Sequence, residues 1–378
     1  MTKQRNLAIE AIRGLSMLGV VGIHTGAYSL SNPAVNEHLF AILEIVTRFC
    51  VPIFFFISAF GLFMNQNLNA PFNYKTFYIR RFRSVLLPYL LWSILYMLHY
   101  SWLSGDLSIW HPPLLWEYFL FGLGSYQLYF LVILLWFYLF MPIWRIIIHK
   151  ISFNPLPFLF ILLLFQIAFN YYSCNLLKPN SGNYILDLFI QYRLSFLLLH
   201  YVFIFLFGAV CAIRIQDFHR FINEKQRQIT ASFIFTLAGM LCYFYLLLHK
   251  FNYSPEAAVN IVQQLSPPGV LYTAAASLYC YMLFSGNETP GLLQKSILVL
   301  GKYSFPIYLS HPFFMYYLNK IYIEHNIVME VPTTIAFFIF TVFFSLLTGY
   351  LIHWIARFAP LASQLLVGSS SKTTKSEA

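Results

Sequence analysis

Three ionisable residues lie inside the first long apolar stretch of the sequence: Glu10, Arg13 and His24. Arg13 and His24 are eleven residues apart. On an α-helix this spacing is about 20° from a whole number of turns, so both lie on one face, about 16 Å apart along the axis. Glu10 precedes Arg13 by three residues and is placed to pair with it. The spacing predicts one helix face with a cation at one end and a titratable base at the other.

Arg13 and His24 also have purely structural interpretations. Arg13 could be an interfacial residue whose charged end reaches the membrane surface, and His24 could form a hydrogen bond between helices. Their shared face weakens both alternatives without excluding either, because ionisable groups within membrane spans usually mark substrate or proton pathways.

A cluster of arginines precedes a later apolar stretch. Residues 78–89 read Y-I-R-R-F-R-S-V-L-L-P-Y and contain Arg80, Arg81 and Arg83. Arginine binds phosphate through paired hydrogen bonds, so the cluster predicts a site for a phosphorylated ligand. The alternative is ordinary anchoring of a helix at the cytoplasmic face of a membrane.

A second histidine lies in a proline-containing segment near the carboxyl end. Residues 304–312 read S-F-P-I-Y-L-S-H-P, with His311 between Pro306 and Pro312. Proline removes a backbone donor, which within a membrane is tolerated where the backbone lines a cavity. The segment therefore predicts a kinked helix that lines a cavity.

The elements that must position these groups follow from composition. The chain has 378 residues, of which 59% are hydrophobic, 20% aromatic and 10% charged, and its mean hydropathy is +0.67. Soluble domains carry roughly 25% charged residues, so this composition excludes a soluble enzyme. It predicts an all-α, polytopic membrane bundle of about ten helices. The ten apolar stretches cover 7–30, 40–64, 85–103, 127–148, 155–173, 194–213, 229–249, 269–286, 297–318 and 333–356.

The basic residues predict the orientation of these spans. With both termini in the cytoplasm, the outside loops receive only Lys178, Arg193, Lys250 and Lys320, while Arg13, Arg48 and Lys302 lie within or beside spans. The remaining 16 of the 23 basic residues fall inside, as the positive-inside rule requires. This distribution accounts for the net charge of +10 without nucleic acid as a partner. We expect one transmembrane domain over residues 1–360 and a short, disordered, polar cytoplasmic tail over 361–378.

In this order, the motifs resemble those of the acyltransferase-3 family of membrane O-acyltransferases. The resemblance covers about residues 6–356 and rests first on the Arg-x10-His of Arg13 and His24. Residues 52–61, P-I-F-F-F-I-S-A-F-G, are similar to the family's second-helix motif, with Ser58 as its serine. The arginine run and the S-x-x-x-Y-L-x-H that contains Tyr308 and His311 also match. Gln127 stands where the family often has a histidine, which puts a proton-transfer role at that position in doubt.

The resemblance implies a mechanism for the residues singled out above. Acyl-CoA, most simply acetyl-CoA, would rest its phosphates on Arg80, Arg81 and Arg83 with Arg13 near the entrance, and no cofactor or metal would be bound. His24 would act as general base on an acceptor hydroxyl, with Glu10 and Arg13 in the catalytic group. Ser58, Tyr308 and His311 would contact substrate. The acceptor would be a surface glycan or lipid-linked sugar outside the bacterial cytoplasmic membrane.

Other functions remain open from sequence alone. Ten spans with intramembrane charges would also suit a non-catalytic exporter of a polysaccharide or its precursor. A different class of polytopic acyltransferase also uses an intramembrane histidine but lacks the Arg-x10-His spacing. A homo-oligomer and a separate extracytoplasmic partner are both compatible with the sequence.

Overall fold

The computed structural model describes residues 6–30, 35–286 and 291–368, and within these ranges the chain is helical without a β-strand. The predicted all-α class is confirmed. The first ten helices are α1 (Leu7–Ser29), α2 (Glu37–Ala41), α3 (Ile53–Phe63), α4 (Tyr74–Arg81), α5 (Leu87–Ser104), α6 (Leu114–Phe121), α7 (Tyr129–Leu139), α8 (Met141–Ile151), α9 (Pro155–Tyr171) and α10 (Tyr184–Gln191). The other ten are α11 (Arg193–Phe196), α12 (Val202–Ile213), α13 (Ile215–Glu224), α14 (Gln226–His249), α15 (Pro255–Ile261), α16 (Pro267–Ser285), α17 (Leu292–Lys302), α18 (Ser304–Glu324), α19 (Val331–Ile355) and α20 (Pro360–Val367).

Six helical segments among the described residues are long and apolar enough to cross a membrane. They are Leu7–Ser29, Glu37–Phe63, Tyr74–Ser104, Pro155–Leu176, Gln226–His249 and Val331–Ile355. The number becomes eight if two bent pairs each form one span: α7 with α8, bent by 69°, and Leu198–Ile213 with α13, bent by 99°. The number of ten spans and the cytoplasmic location of both termini remain predictions.

Two of the ten predicted spans, 269–286 and 297–318, are not among these candidates. The first corresponds to α16, which has 19 residues, and the second is divided between α17 and α18, which have 11 and 21. Helices of about 20 residues can span a bilayer by length. Proline and polar side chains in both helices, such as Thr273 of α16 and His311 and Lys320 of α18, make them less apolar than the six candidates.

Helix α1 lies in the core, with α17 packed closely against it. A Cβ at Gly14 would collide with the carbonyl oxygen of Ile297, and one at Gly301 would collide with that of Glu10. Only glycine allows two helix backbones to approach this closely. The contact places Arg13 on α1 near Lys302 on α17, and both side chains line the same cavity.

Within the described ranges, three helical segments contain a π-turn, in which the backbone hydrogen bond spans one more residue than in an α-helix. The turns are Ile42–Val46, Phe82–Leu86 and Tyr172–Leu176. π-Turns are rare and often occur at functional sites. The first lies just before Arg48, and the second directly follows Arg81.

The chain after residue 360 is helical where a disordered tail is predicted. Helix α20 buries Ser363 and Val367, and the indole nitrogen of Trp92 on α5 donates a hydrogen bond to the Leu366 carbonyl at 2.9 Å. Residues 361–367 thus form part of a helix, because apolar residues there supply a face that packs on α5. Residues 369–378 lie outside the described ranges.

Candidate active site

Two adjoining cavities lie along one side of α1. The larger, here called the basic cavity, has a volume of about 320 Å³. The smaller, here called the inner cavity, has a volume of about 130 Å³. Phe54, Phe130 and Tyr308 contribute to the walls of both, so the cavities adjoin at these three side chains. Arg13 lines the basic cavity and His24 lines the inner cavity.

The basic cavity brings together three cationic side chains from separate parts of the sequence. Arg13, Arg81 and Lys302 all line it. The Arg81 guanidinium carbon lies 4.8 Å from the centroid of the Tyr138 ring, and the Tyr138 hydroxyl lies 3.2 Å from the Ser58 hydroxyl. Guanidinium groups stacked on aromatic rings keep their outer hydrogen-bond donors available. The cavity therefore suits a ligand that carries several negative charges.

His24 lies in a group of aromatic rings at the inner cavity. Its ring centroid is 4.4 Å from that of Tyr126 and 5.3 Å from that of His311, which stacks on it. The His311 Nδ1 lies 3.1 Å from the Ile307 carbonyl oxygen, one turn back on α18, and His311 is fully buried. His24 thus meets the inner cavity directly, while His311 packs against its ring.

Arg48, which lines the inner cavity, forms an ion pair with Glu44. The Arg48 Nη2 lies 2.8 Å from the Glu44 Oε2, and the two side chains are only 13% and 4% exposed. Glu44 packs against Gly26 of α1, where a Cβ would lie 2.7 Å from the Glu44 Cγ. The π-turn Ile42–Val46 contains Glu44. Because a lone charge is costly to bury, the pair allows a guanidinium to line the same cavity as His24.

Gln127 lies in the same cavity on a non-helical loop between α6 and α7. The residue is only 2% exposed, yet neither of its amide atoms has a hydrogen-bond partner among the described residues. The nearby Tyr96 hydroxyl donates to the backbone carbonyl of Leu309 instead. The Tyr308 hydroxyl donates to the backbone carbonyl of Gln127, not to its side chain. Buried polar groups are normally satisfied. The unsatisfied amide therefore indicates a place for a polar ligand.

A comparison with known protein families identifies the chain. A family model described as an acyltransferase domain matches residues 6–354, nearly the whole sequence. The chain belongs to the acyltransferase-3 family. No curated protein and no solved structure matches it significantly. The family consists generally of membrane acyltransferases, so the chain is an acyltransferase of multi-pass, helical membrane type.

The structure separates the acyltransferase-3 residues predicted from sequence into two groups. The first group lines the two adjoining cavities and consists of Arg13, Ser58, Arg81, Tyr308 and His24. The others do not line these two cavities. Glu10 is at the α1–α17 contact, and Arg80 is exposed. Arg83 lines a separate groove, and the His311 ring stacks on the ring of His24. Their roles in catalysis or binding remain predictions. No group of three or more metal-ligating side chains occurs among the described residues.

Sequence reasoning missed three residues that line these cavities. The assignment of basic residues to the two sides of the membrane leaves out Lys302 and Arg48, because both fall within or beside spans. Gln127 receives no role, because the family often has a histidine at that position. The four-residue spacing of Glu44 and Arg48 was the available signal, because it places opposite charges on one helix face inside an apolar stretch. For Lys302, only the three-dimensional contact of α1 with α17 reveals the neighbourhood of Arg13.

Proposed function

We propose that this protein transfers an acetyl or similar short acyl group from cytoplasmic acyl-CoA to a hydroxyl group of a cell-surface or exported glycan. It would act in the bacterial cytoplasmic membrane. The observation that carries the proposal is the pair of adjoining cavities along α1. Three cationic side chains line the basic cavity, and His24 lines the inner cavity. A donor with a phosphorylated end and a neutral reacting end fits this division of charge.

The basic cavity would hold the phosphates of acyl-CoA. Arg13, Arg81 and Lys302 supply charge-assisted hydrogen bonds, which are about twice as strong as neutral ones. The distance along α1 from Arg13 to His24 is about 16 Å, which the extended pantetheine arm would bridge past Tyr308. The thioester would then lie in the inner cavity.

His24 would serve as the general base for transfer. As the acceptor oxygen forms its bond to the thioester carbonyl carbon, the hydroxyl proton passes to His24. When the carbon–sulfur bond breaks, the same proton passes from His24 to the departing CoA thiolate. The Arg48 and Gln127 side chains offer N–H donors for the negative charge that forms on the carbonyl oxygen.

The size of the inner cavity favours a short acyl group. At about 130 Å³ it falls below the roughly 300–1,000 Å³ of most small-molecule sites. An acetyl group and one acceptor hydroxyl would fill such a space. The same size argues against the alternative of a polysaccharide exporter, because a sugar chain would need a wider path.

Glycan analysis of cells with and without the gene tests this function. We expect the deletion strain to lose one short acyl group from a surface or exported glycan, as measured by mass spectrometry. Purified protein should also consume acetyl-CoA when supplied with glycan from the deletion strain. An acylation pattern identical in the two strains, with the unmodified glycan retained inside the deletion cells, would instead support export.

A further inference from the structure

A third and larger cavity opens on the side of the helix bundle, next to the basic cavity. This cavity, here called the lateral groove, has a volume of about 790 Å³. Its walls come from α4 and α5 with the π-turn between them on one side, and from α6 and α7 on the other. Its apolar lining includes Leu86, Leu90, Phe119, Val132, Leu135 and Trp136.

The lateral groove has charge at one place only. Arg81 and Arg83 are the two charged residues among the described residues that line it. The π-turn Phe82–Leu86 divides successive side chains between two cavities: Phe82, Arg83 and Leu86 line the groove, whereas Ser84 and Val85 line the basic cavity. The groove is therefore apolar along its length and cationic where the π-turn begins.

We propose that the lateral groove is a binding site for one anionic phospholipid. The acyl chains lie along α5 and α7, and the headgroup phosphate contacts the Arg83 guanidinium. Exposed apolar side chains at the rim, such as Ile79, Phe82 and Leu139, are those that a lipid chain would meet. Arginine at such a position favours an anionic lipid over a zwitterionic one, because each basic group near the surface adds attraction to negative lipid. The site requires no step of acyl transfer, so it is independent of the proposed function.

The lipid would also form part of the wall of the basic cavity. Arg81 and Tyr138 line both the lateral groove and the basic cavity. A lipid phosphate held by Arg83 leaves Arg81 directed towards the basic cavity, stacked on the Tyr138 ring. Removal of the lipid would expose these two side chains from the groove side.

Native mass spectrometry of the purified full-length protein tests this site. The protein is incubated in detergent with equal amounts of dioleoylphosphatidylglycerol and dioleoylphosphatidylcholine, and the retained lipid is identified. We expect one phosphatidylglycerol to be retained preferentially. Arg83→Ala should lower this retention about fivefold, whereas Arg80→Ala, which removes an exposed neighbouring charge, should retain the lipid. Leu135→Trp fills the groove without altering charge and should lower retention of both lipids.

Four results would overturn the proposal. Equal retention of the two lipids by the unmodified protein would show a groove indifferent to charge. Equal losses in Arg83→Ala and Arg80→Ala would indicate general attraction to a basic surface. Unchanged retention in Leu135→Trp would place the lipid outside the groove. Displacement of phosphatidylglycerol by equimolar palmitoyl-CoA would assign the groove to a long-chain acyl donor.

Discussion

Arg48, in the wall of the inner cavity, forms an ion pair with Glu44, and either charge alone would be costly to bury. Their side chains are nearly buried and 2.8 Å apart, and the Arg48 Nε has no hydrogen-bond partner among the described residues. A buried pair of this kind does not by itself stabilise a fold, because the loss of hydration offsets the attraction. Arg48 and His24 line the same cavity, so a ligand bound there would meet the guanidinium.

Substitution of the pair separates a structural role from a chemical one. Arg48→Met alone leaves Glu44 buried and unpaired, which should lower the free energy of unfolding by about 3–5 kcal/mol. The double variant Glu44→Gln with Arg48→Met should recover most of that stability, yet its kcat should remain about 100- to 1,000-fold reduced. Thermal unfolding in detergent and acyl-transfer assays measure the two effects. A double variant with normal kcat would show that Arg48 has no chemical role.

Lys302 should contribute to donor binding rather than to chemistry. Lys302→Ala removes a cation from the basic cavity and should raise the KM for acyl-CoA about tenfold with little change in kcat. Lys295→Ala is the matched control, because Lys295 is exposed on the same helix and carries the same charge. Steady-state kinetics with varied acyl-CoA give both constants. Similar values for the two variants would contradict a phosphate contact at Lys302.

The predicted site residues illustrate what residue spacing can and cannot provide. Helical periodicity within one element depends only on the sequence, so it predicts one face of α1 for Arg13 and His24, which line two adjoining cavities. The arginine cluster could be assigned only collectively. Arg80 is exposed, Arg81 lines both the basic cavity and the lateral groove, and Arg83, within the π-turn, lines the groove. Regular periodicity does not predict the added residue of a π-turn.

At the scale of elements, the contact between α1 and α17 brings Arg13 and Lys302 into the wall of the basic cavity. Gly14 and Gly301 remove the side chains that would separate the helix backbones. The neighbouring residues Arg13 and Lys302 then line one cavity. The geometry of the proposed donor site therefore depends on two positions that have no side chain.

A methyl group at this contact should be more harmful than one elsewhere in the bundle. Gly14→Ala should lower the free energy of unfolding by about 1–3 kcal/mol, because an overpacked interface must move apart. Gly239→Ala is the control: a Cβ there meets no described atom within 4 Å, so the higher helix propensity of alanine should leave stability equal or slightly raised. Thermal unfolding in one detergent compares the two. Equal melting temperatures would show that the α1–α17 contact is not tight.

Element boundaries were less predictable than the all-α class. The span predicted at 127–148 is two helices, α7 and α8, bent by 69°, and Gln127 lies in the loop before them. Apolar composition continues through the bend, so hydropathy does not show it. Gly122 makes the preceding turn at φ +70°, and a Cβ there would lie 2.7 Å from the Tyr129 nitrogen. Non-helical backbone of this kind inside a bundle is tolerated where it is buried or lines a cavity.

At the scale of the whole molecule, the distribution of basic residues predicts which side of the membrane each loop faces. The net charge of +10 belongs mainly to loops on the predicted cytoplasmic side. The basic cavity includes Arg81 at the end of α4, on that side. Orientation and access of the proposed donor are therefore linked, because acyl-CoA is a cytoplasmic compound.

Cysteine labelling tests this orientation. All five native cysteines are first replaced by alanine, and single cysteines are introduced as Lys178→Cys or Arg220→Cys, both at exposed positions. A membrane-impermeant maleimide should label Lys178→Cys in intact cells and Arg220→Cys only after the membrane is permeabilised. The reverse pattern would place the basic cavity on the outside and would contradict cytoplasmic acyl-CoA as donor.

Substitution of His24 tests the central claim most directly. A deletion strain receives the unmodified gene, His24→Ala, or His325→Ala, which alters an exposed histidine of the loop after α18. Glycan acylation is measured by mass spectrometry at equal membrane levels of protein. We expect His24→Ala to lower the rate of acylation at least about 100-fold, while His325→Ala restores the pattern of the unmodified protein. Full acylation by His24→Ala would contradict the assignment of His24 as the general base.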